Sequence, residues 1–297
     1  MNVAALILLG ALWGASFLFM RMGADAFGAI ALAGMRALVG GACFLPLFIA
    51  SERRAEWRAH WKPILLIGIT NSALPFVLFS LAAKMLPAGL SSIFDAITPL
   101  LVAASGWLWL GEKLNAQSVT GLLLGLIGVV WLVGDSTLAG TYGTNAGWAM
   151  AACIGATVCY AFSVHYSHRR LRHISPLTAA ASSQIVAAVV LLPLTVWLWP
   201  AATPAAPAWG AMIGLAVACT SVAYVLFFRL IAQIGTTRTM TVLYLIPAFG
   251  VLWGWWFLAE AFTPGMAVGC VVILAGVALT LGPVRTKTMK PAVQEPV

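Results

Sequence analysis

Charge is what this chain has least of. Only 8% of its 297 residues are Asp, Glu, Lys or Arg, about a third of the share usual in soluble domains. A soluble fold of this size could not coat its surface with so little. Acidic residues are scarcer still, eight against sixteen Lys and Arg. Cysteine is sparse: Cys43, Cys153, Cys159, Cys219 and Cys270 all fall in apolar stretches without a CxxC spacing. That excludes a disulfide framework and leaves them as small packing residues. No HExxH, no GxSxG, no pair of intramembrane aspartates and no Walker sequence occurs. An intramembrane enzyme and an ATP-driven pump are therefore not indicated, and no metal or other cofactor is implied. No basic stretch precedes the first apolar run, so a cleaved signal peptide is not expected.

What the chain has in abundance is apolar length. Hydrophobic residues make up 62% of it. Runs long enough to cross a hydrocarbon core of about 30 Å read at 3–22, 27–50, 63–83, 88–110, 118–134, 145–166, 176–199, 208–231, 236–258 and 264–282. The chain reads as an all-α polytopic membrane protein with ten transmembrane helices. The net charge of +8 is explained by loops and needs no nucleic acid. With the N-terminus inside, the inner loops and tail carry Arg53, Arg54, Arg58, Lys62, Lys113, Arg169, Arg170, Arg172, Arg229, Arg238, Arg285, Lys287 and Lys290. The outer loops carry only Arg21 and Lys84, and Arg36 lies within a span. This asymmetry places both termini on the cytoplasmic side of the cell's inner (plasma) membrane.

One passage occurs twice. Pro99 is followed thirteen residues later by Glu112, and Pro247 thirteen residues later by Glu260. The shift of 148 residues (247 − 99) also relates Val77-Leu78-Phe79 to Val225-Leu226-Phe227, Trp107 to Trp255, Gly121 to Gly269 and Gly128 to Gly276. The halves run from 3–134 and 145–282, and 283–297 reads as a disordered cytoplasmic tail. Five spans per half is an odd number, so the second half enters the membrane from the opposite side. Two five-helix inverted-topology repeats are the plan of many alternating-access carriers.

The order of these features resembles the EamA repeat of the drug/metabolite transporter superfamily. Its carriers are Pro99-Leu100, Leu110-Gly111-Glu112-Lys113-Leu114, Gly121 and Gly128, the opening Leu12-Trp13-Gly14-Ala15-Ser16-Phe17, and Arg36. The resemblance covers both halves, from about residue 3 to 282. It implies a ten-helix carrier that exports amino acids, metabolites or drugs from a central cavity. Amino-acid exporters, including those for aromatic amino acids, are the nearest analogy within the family. Nucleotide-sugar and triose-phosphate members need a basic cavity that this chain lacks.

Two ionisable side chains lie within spans, where charge is costly and usually functional. Arg36 sits about 13 Å along the second span and Asp95 about 10 Å along the fourth, from the same side. They can bind the two ends of a zwitterion, Arg36 taking a carboxylate and Asp95 an amine or a coupled proton. They can equally pair with each other and hold two helices together. The repeat matches Asp95 to Leu243, and an alignment on Leu45-Pro46-Leu47 and Leu192-Pro193-Leu194 matches Arg36 to Ser183. Both charges break the internal symmetry. In the family's pattern the Asp95 position is more often neutral and polar, a departure that makes proton coupling one reading.

Trp13, Ser16, Asn71, Tyr160, Ser183, Gln184, Tyr224 and Tyr244 complete the expected substrate-binding set, with Ser72 and Ser221 beside them. Pro46, Pro99, Pro193 and Pro247 are expected hinges or kinks, as matched pairs, and Pro75 is a further interior proline. Glu112 and Glu260 read as helix-end anchors, and the glycines of the fifth and tenth spans as close-packing faces. His165, His168 and His173 read as part of a basic, headgroup-facing inner loop. The function this supports is export of small organic solutes, most readily amino acids or related metabolites, by alternating access. Export of cationic drugs or other metabolites, or a non-transporting scaffold, are the alternatives. The sequence leaves monomer and dimer open.

Overall fold

The computed structural model describes residues 2–49, 51–111, 113–138 and 143–281. Glu112 and the tail from 282 onward, with Arg285, Lys287 and Lys290, lie outside the described residues. Among those described there is helix and no strand, as a bilayer requires of a chain that must satisfy its backbone groups internally. Ten helical stretches are long and apolar enough to span.

We label them in chain order: α1 (Asn2–Phe27), α2 (Ala29–Phe44), α3 (Ser51–Ala59), α4 (Trp61–Ala82), α5 (Ala88–Leu110), α6 (Ala116–Leu138), α7 (Ala146–Arg170), α8 (Pro176–Trp197), α9 (Ala206–Ile234), α10 (Met240–Leu258) and α11 (Pro264–Leu281). The short polar α3 is the one that is not a span. α1 is longer than the apolar run suggests and takes in Arg21 and Asp25. It turns directly into α2 at Gly28, whose φ of 77° suits a residue without a Cβ. α7 also overruns its expected end and carries His165 within the helix.

The packing repeats between the halves. α1 packs on α10 as α7 packs on α5. α4 packs on α7 as α9 packs on α1. α8 crosses the middle of α4 as α2 crosses the middle of α9. α2 pairs with α8, and α6 with α11. Each relation is what a two-fold exchange of the halves would produce, and it interleaves the two halves around one core.

The irregular segments repeat as well. α4 is wound as π-helix over Gly68–Ala73 and α9 over Gly214–Val222. These overlap under the 148-residue shift (68 + 148 = 216, 73 + 148 = 221). α5 is interrupted between Asp95 and Thr98, and a 3₁₀ turn over Met240–Tyr244 separates a short helical turn, Thr236–Thr239, from the α-helical body of α10. Each break precedes its matched proline, Pro99 or Pro247, which has no N–H to offer the turn before it. Pro46 and Pro193 do not share a role. Pro46 lies in a 3₁₀ turn, Leu45–Ile49, that closes α2, whereas Pro193 sits inside a continuous α8.

The small face of α6 meets the small face of α11 within the chain. A Cβ on Gly276 would stand 2.6 Å from Gly125 N and 2.7 Å from Gly121 O. Both obstacles are backbone and cannot swing aside. Gly276→Ala should therefore cost about 1–3 kcal/mol of stability, read as a lower melting temperature in detergent. Gly210→Ala, where an added Cβ meets nothing within 4 Å, should leave that temperature unchanged or raise it.

Candidate substrate site at the helix breaks

The breaks decide which side chains face inward at mid-membrane. Asp95 is the last residue of the first piece of α5. Its carbonyl, freed by the interruption, accepts from Thr98 Oγ1 at 2.8 Å. In the π-segment of α9, Thr220 Oγ1 donates to Leu215 O at 2.9 Å, and Ser221 Oγ reaches Ala216 O at 3.1 Å and Gly40 O of α2 at 3.2 Å. Hydroxyls thus occupy carbonyls that a widened turn leaves exposed.

Arg36 is fixed by this segment. Its Nε donates to Thr220 Oγ1 at 3.0 Å, its Nη1 lies 3.7 Å from Met20 Sδ, and its guanidinium carbon stands 3.7 Å above the Phe76 ring. Such a desolvated cation–π contact contributes about 2 kcal/mol. Its Nη2 makes no hydrogen bond among the described residues, and no carboxylate comes within 4.0 Å of the group. Arg36 and Asp95 therefore do not form the direct ion pair that was one reading of the sequence.

Asp95 makes no side-chain hydrogen bond or ion pair among the described residues and is half-buried, between buried Phe94 and Ala96. It lies near enough to Arg36 and Tyr160, from α2 and α7, to interact with them electrostatically. A half-exposed carboxylate directed at other helices borders an internal space and not lipid. Tyr160, Tyr224, Trp13, Asn71 and Tyr244 are half-buried too. Trp13 packs on Phe227, with centroids 5.2 Å apart. Tyr160 stacks on Phe79 at 6.2 Å, and Phe79 meets Phe17 edge-on at 5.4 Å. Tyr224 faces Asn71 and Phe44, while buried Ser16 lies beside Cys219.

Ser183 and Gln184 sit elsewhere. Both are buried at the crossing of α8 with α4, where Gln184 Nε2 donates to Ser72 Oγ at 2.9 Å and Ser72 Oγ to Ser183 Oγ at 3.2 Å. They join helices and do not border the internal space. Their contacts also correct the internal alignment. Ser72 and Thr220 are 148 residues apart, as are Arg36 and Gln184, so Gln184, and not Ser183, stands where Arg36 does. Met20, Phe17, Phe76, Phe79 and Thr220 were missed by the sequence reading. Only Thr220 left a signal there, as the repeat partner of Ser72.

The end of the bundle that carries Glu260 is closed. α10 ends with Ala259 in the left-handed region, at φ 52°, as α5 ends at Gly111 with φ 67°. That turn directs Glu260 to the start of α5, where its Oε2 and Oε1 accept from Ala88 N at 2.9 and 3.1 Å. Arg21 lies 3.9 Å from Glu260 and donates to Ala83 O at 2.9 Å. Glu260 does anchor a helix end, but that of α5 in the other half. At the opposite, arginine-rich end, the second piece of α5 packs on α7, where His165 Nε2 lies 2.9 Å from Val102 O and 3.0 Å from Ser105 Oγ. His165 is thus a helix-contact residue and not a headgroup-facing one. The second piece of α5 shows no packing against 236–244 comparable to that of α10 on Ala88–Asp95.

A chain of ten apolar helices long enough to span, broken in matched places around a polar cluster, defines a multi-pass membrane protein. The comparisons narrow the class: residues 1–134 and 147–282 each match the EamA-like transporter family, and the chain belongs to it. It is 24% identical over 249 residues to the Bacillus subtilis "uncharacterized transporter YvbV", covering 83% of this chain and 80% of that one. It is 24% identical over 283 residues to a Streptantibioticus cattleyicolor protein named a probable terminal-alkyne amino-acid exporter, covering 93% and 92%. An S-adenosylmethionine/S-adenosylhomocysteine transporter of Chlamydia trachomatis is 24% identical over 277 residues, covering 88% and 84%. A crystal structure 20% identical to this chain superposes with a TM-score of 0.65 over 94% of it and 96% of its own chain, a likeness of fold.

Burial pushes the Glu260 carboxyl above its ordinary range, against the pull of the Ala88 and Gly89 backbone N–H groups and of Arg21. An unlatched Glu260 in water has the ordinary value, so the latched state holds its proton the more tightly. Closure at this end should be firmest at low pH and weaken as pH rises through the raised pKa. Spin labels on the facing ends of α5 and α10 should report this as a distance that grows with pH. Glu260→Gln should stay closed at every pH, whereas Glu260→Ala should open.

Proposed function

We propose that this protein is a secondary carrier that exports small organic solutes, most readily amino acids or related metabolites, by alternating access. It would sit in the cell's inner (plasma) membrane with both termini cytoplasmic, as its arginine-rich loops favour. One observation carries the reading: at mid-membrane, Asp95 has no protein partner among the described residues, and Arg36 keeps an uncommitted Nη2. Aromatic groups from α1, α4, α7 and α9 frame the two.

The complementary solute is a zwitterion whose carboxylate meets Arg36 and whose amine meets Asp95. The names of the amino-acid exporter and the S-adenosylmethionine transporter among the relatives agree with such chemistry. In the same scheme Asp95 is the group that would carry a coupled proton. α10 packed on the first piece of α5 at the Glu260 end, with no comparable contact of the second piece of α5 against 236–244 at the other, suits a state open to the cytoplasm. Export of cationic drugs is the second reading, favoured by a free carboxylate among aromatic rings.

Counterflow in liposomes, with labelled amino acids and cationic drugs, with and without a proton gradient, separates these readings. Asp95→Asn should slow transport at least about tenfold, a loss worth about 1.4 kcal/mol, and flatten its pH dependence. Unchanged rates and unchanged pH dependence would remove Asp95 from the mechanism. Arg36→Gln should weaken solute affinity and also lower the melting temperature. Retained affinity with a lower melting temperature would make Arg36 a purely structural group.

A further inference from the structure

A second site lies far from the helix breaks, at the arginine-rich end. A pocket of about 260 Å³ is lined by Phe48, Arg54, Trp57, Arg58 and Ile185. Its parts come from both halves of the chain. Phe48 closes the 3₁₀ turn after α2, Arg54, Trp57 and Arg58 belong to α3, and Ile185 belongs to α8. Arg53 Nη1 reaches Thr178 Oγ1 of α8 at 3.5 Å, which ties α3 to that helix.

The charge distribution of α3 is one-sided. Arg54 and Arg58 are a turn apart and share a face, and both are exposed. Glu52 and Glu56 are also a turn apart but lie about 160–200° around the helix from Arg54, at 100° per residue. Neither arginine forms an ion pair among the described residues. A helix with this composition could have neutralised its own arginines by i,i+4 pairing, and its spacing prevents that.

Depth supplies the other half of the argument. Trp57 within α3 and Trp61 just after it lie where α3 joins two spans, as aromatic residues do at membrane interfaces. Ile185 is nine residues inside α8 from Pro176, about 13 Å toward the bilayer centre. The pocket is thus cationic at its mouth and apolar at its wall, with the apolar part on the membrane side. A soluble anion would leave that wall unused, and a neutral lipid would leave the arginines unmatched.

We propose that this pocket binds an acidic glycerophospholipid, its headgroup phosphate between Arg54 and Arg58 and an acyl chain along Phe48, Trp57 and Ile185. Basic pockets between spans hold anionic headgroups in this way. Because α3 belongs to one half and α8 to the other, the lipid would bridge the seam between them.

The test is lipid retention by the full-length protein after exchange into nanodiscs that contain phosphatidylglycerol and phosphatidylcholine, read by native mass spectrometry. The expected result is selective retention of phosphatidylglycerol, lowered about tenfold or more in the double variant Arg54→Gln, Arg58→Gln. Ile185→Trp, which fills the apolar part, should lower retention with the charge unchanged. Equal retention of the two lipids, or retention unaffected by the double variant, overturns the proposal. So does displacement of the lipid by inorganic phosphate or glycerophosphoglycerol, which would make the pocket a site for a soluble anion.

Discussion

The centre of this protein depends on one crossing made twice. α2 crosses α9 where α9 is wound as a π-helix, and α8 crosses α4 where α4 is. In hydrocarbon no water can satisfy a backbone carbonyl, so an irregular turn survives only where protein groups replace the lost bonds. Here Thr220 and Ser221 bond back to Leu215 and Ala216, and the crossing helix supplies Arg36 at one site and Gln184 at the other. The widened turns in turn bring Asn71, Cys219 and Tyr224 round toward the interior. Without the crossings the helices could straighten, and the inward-facing cluster would lose its frame.

The two crossings have diverged. Gln184 is fully buried and gives its Nε2 to Ser72, while its Oε1 has no hydrogen-bond partner among the described residues. Arg36, in the equivalent place, has more donors than its neighbours use, and Asp95 lies within electrostatic reach of it. Asp95 is likewise matched by an apolar Leu243 in the other half. The other copy of the architecture is built without either charge. Both groups that break the symmetry of the frame lie within electrostatic reach of each other.

Much of this was legible in the sequence, for definable reasons. Ten spans are a matter of apolar length, and matched breaks follow from matched prolines at 99 and 247. The π-segments were not legible, because no residue type marks them, and only the overlap of Ser72 with Thr220 under the 148-residue shift betrays the correspondence. Gln184 was misjudged because a polar residue at mid-span either borders a cavity or joins two helices, and composition does not say which. The role of Pro46 was misjudged through a one-residue slip. Aligning it with Pro193 moves Arg36 from Gln184 to Ser183, and only the contacts of Ser72 and Thr220 restore the register.

The same symmetry argues that the closed and open ends are two settings of one construction. α5 and α10 both end in a left-handed residue, at Gly111 and Ala259, and both begin again at a proline in mid-membrane. Yet α10 lies along the first piece of α5 at the Glu260 end, while the second piece of α5 has no such partner in 236–244. Chemically equivalent helices therefore occupy inequivalent positions in a single conformation. Ala259 sharpens the contrast, since a left-handed alanine costs about 1–2 kcal/mol that a glycine would not. The contacts of Glu260 with Ala88 and Arg21 offset that cost. A latch that carries its own strain sets the hold of Glu260 against the relaxation of Ala259.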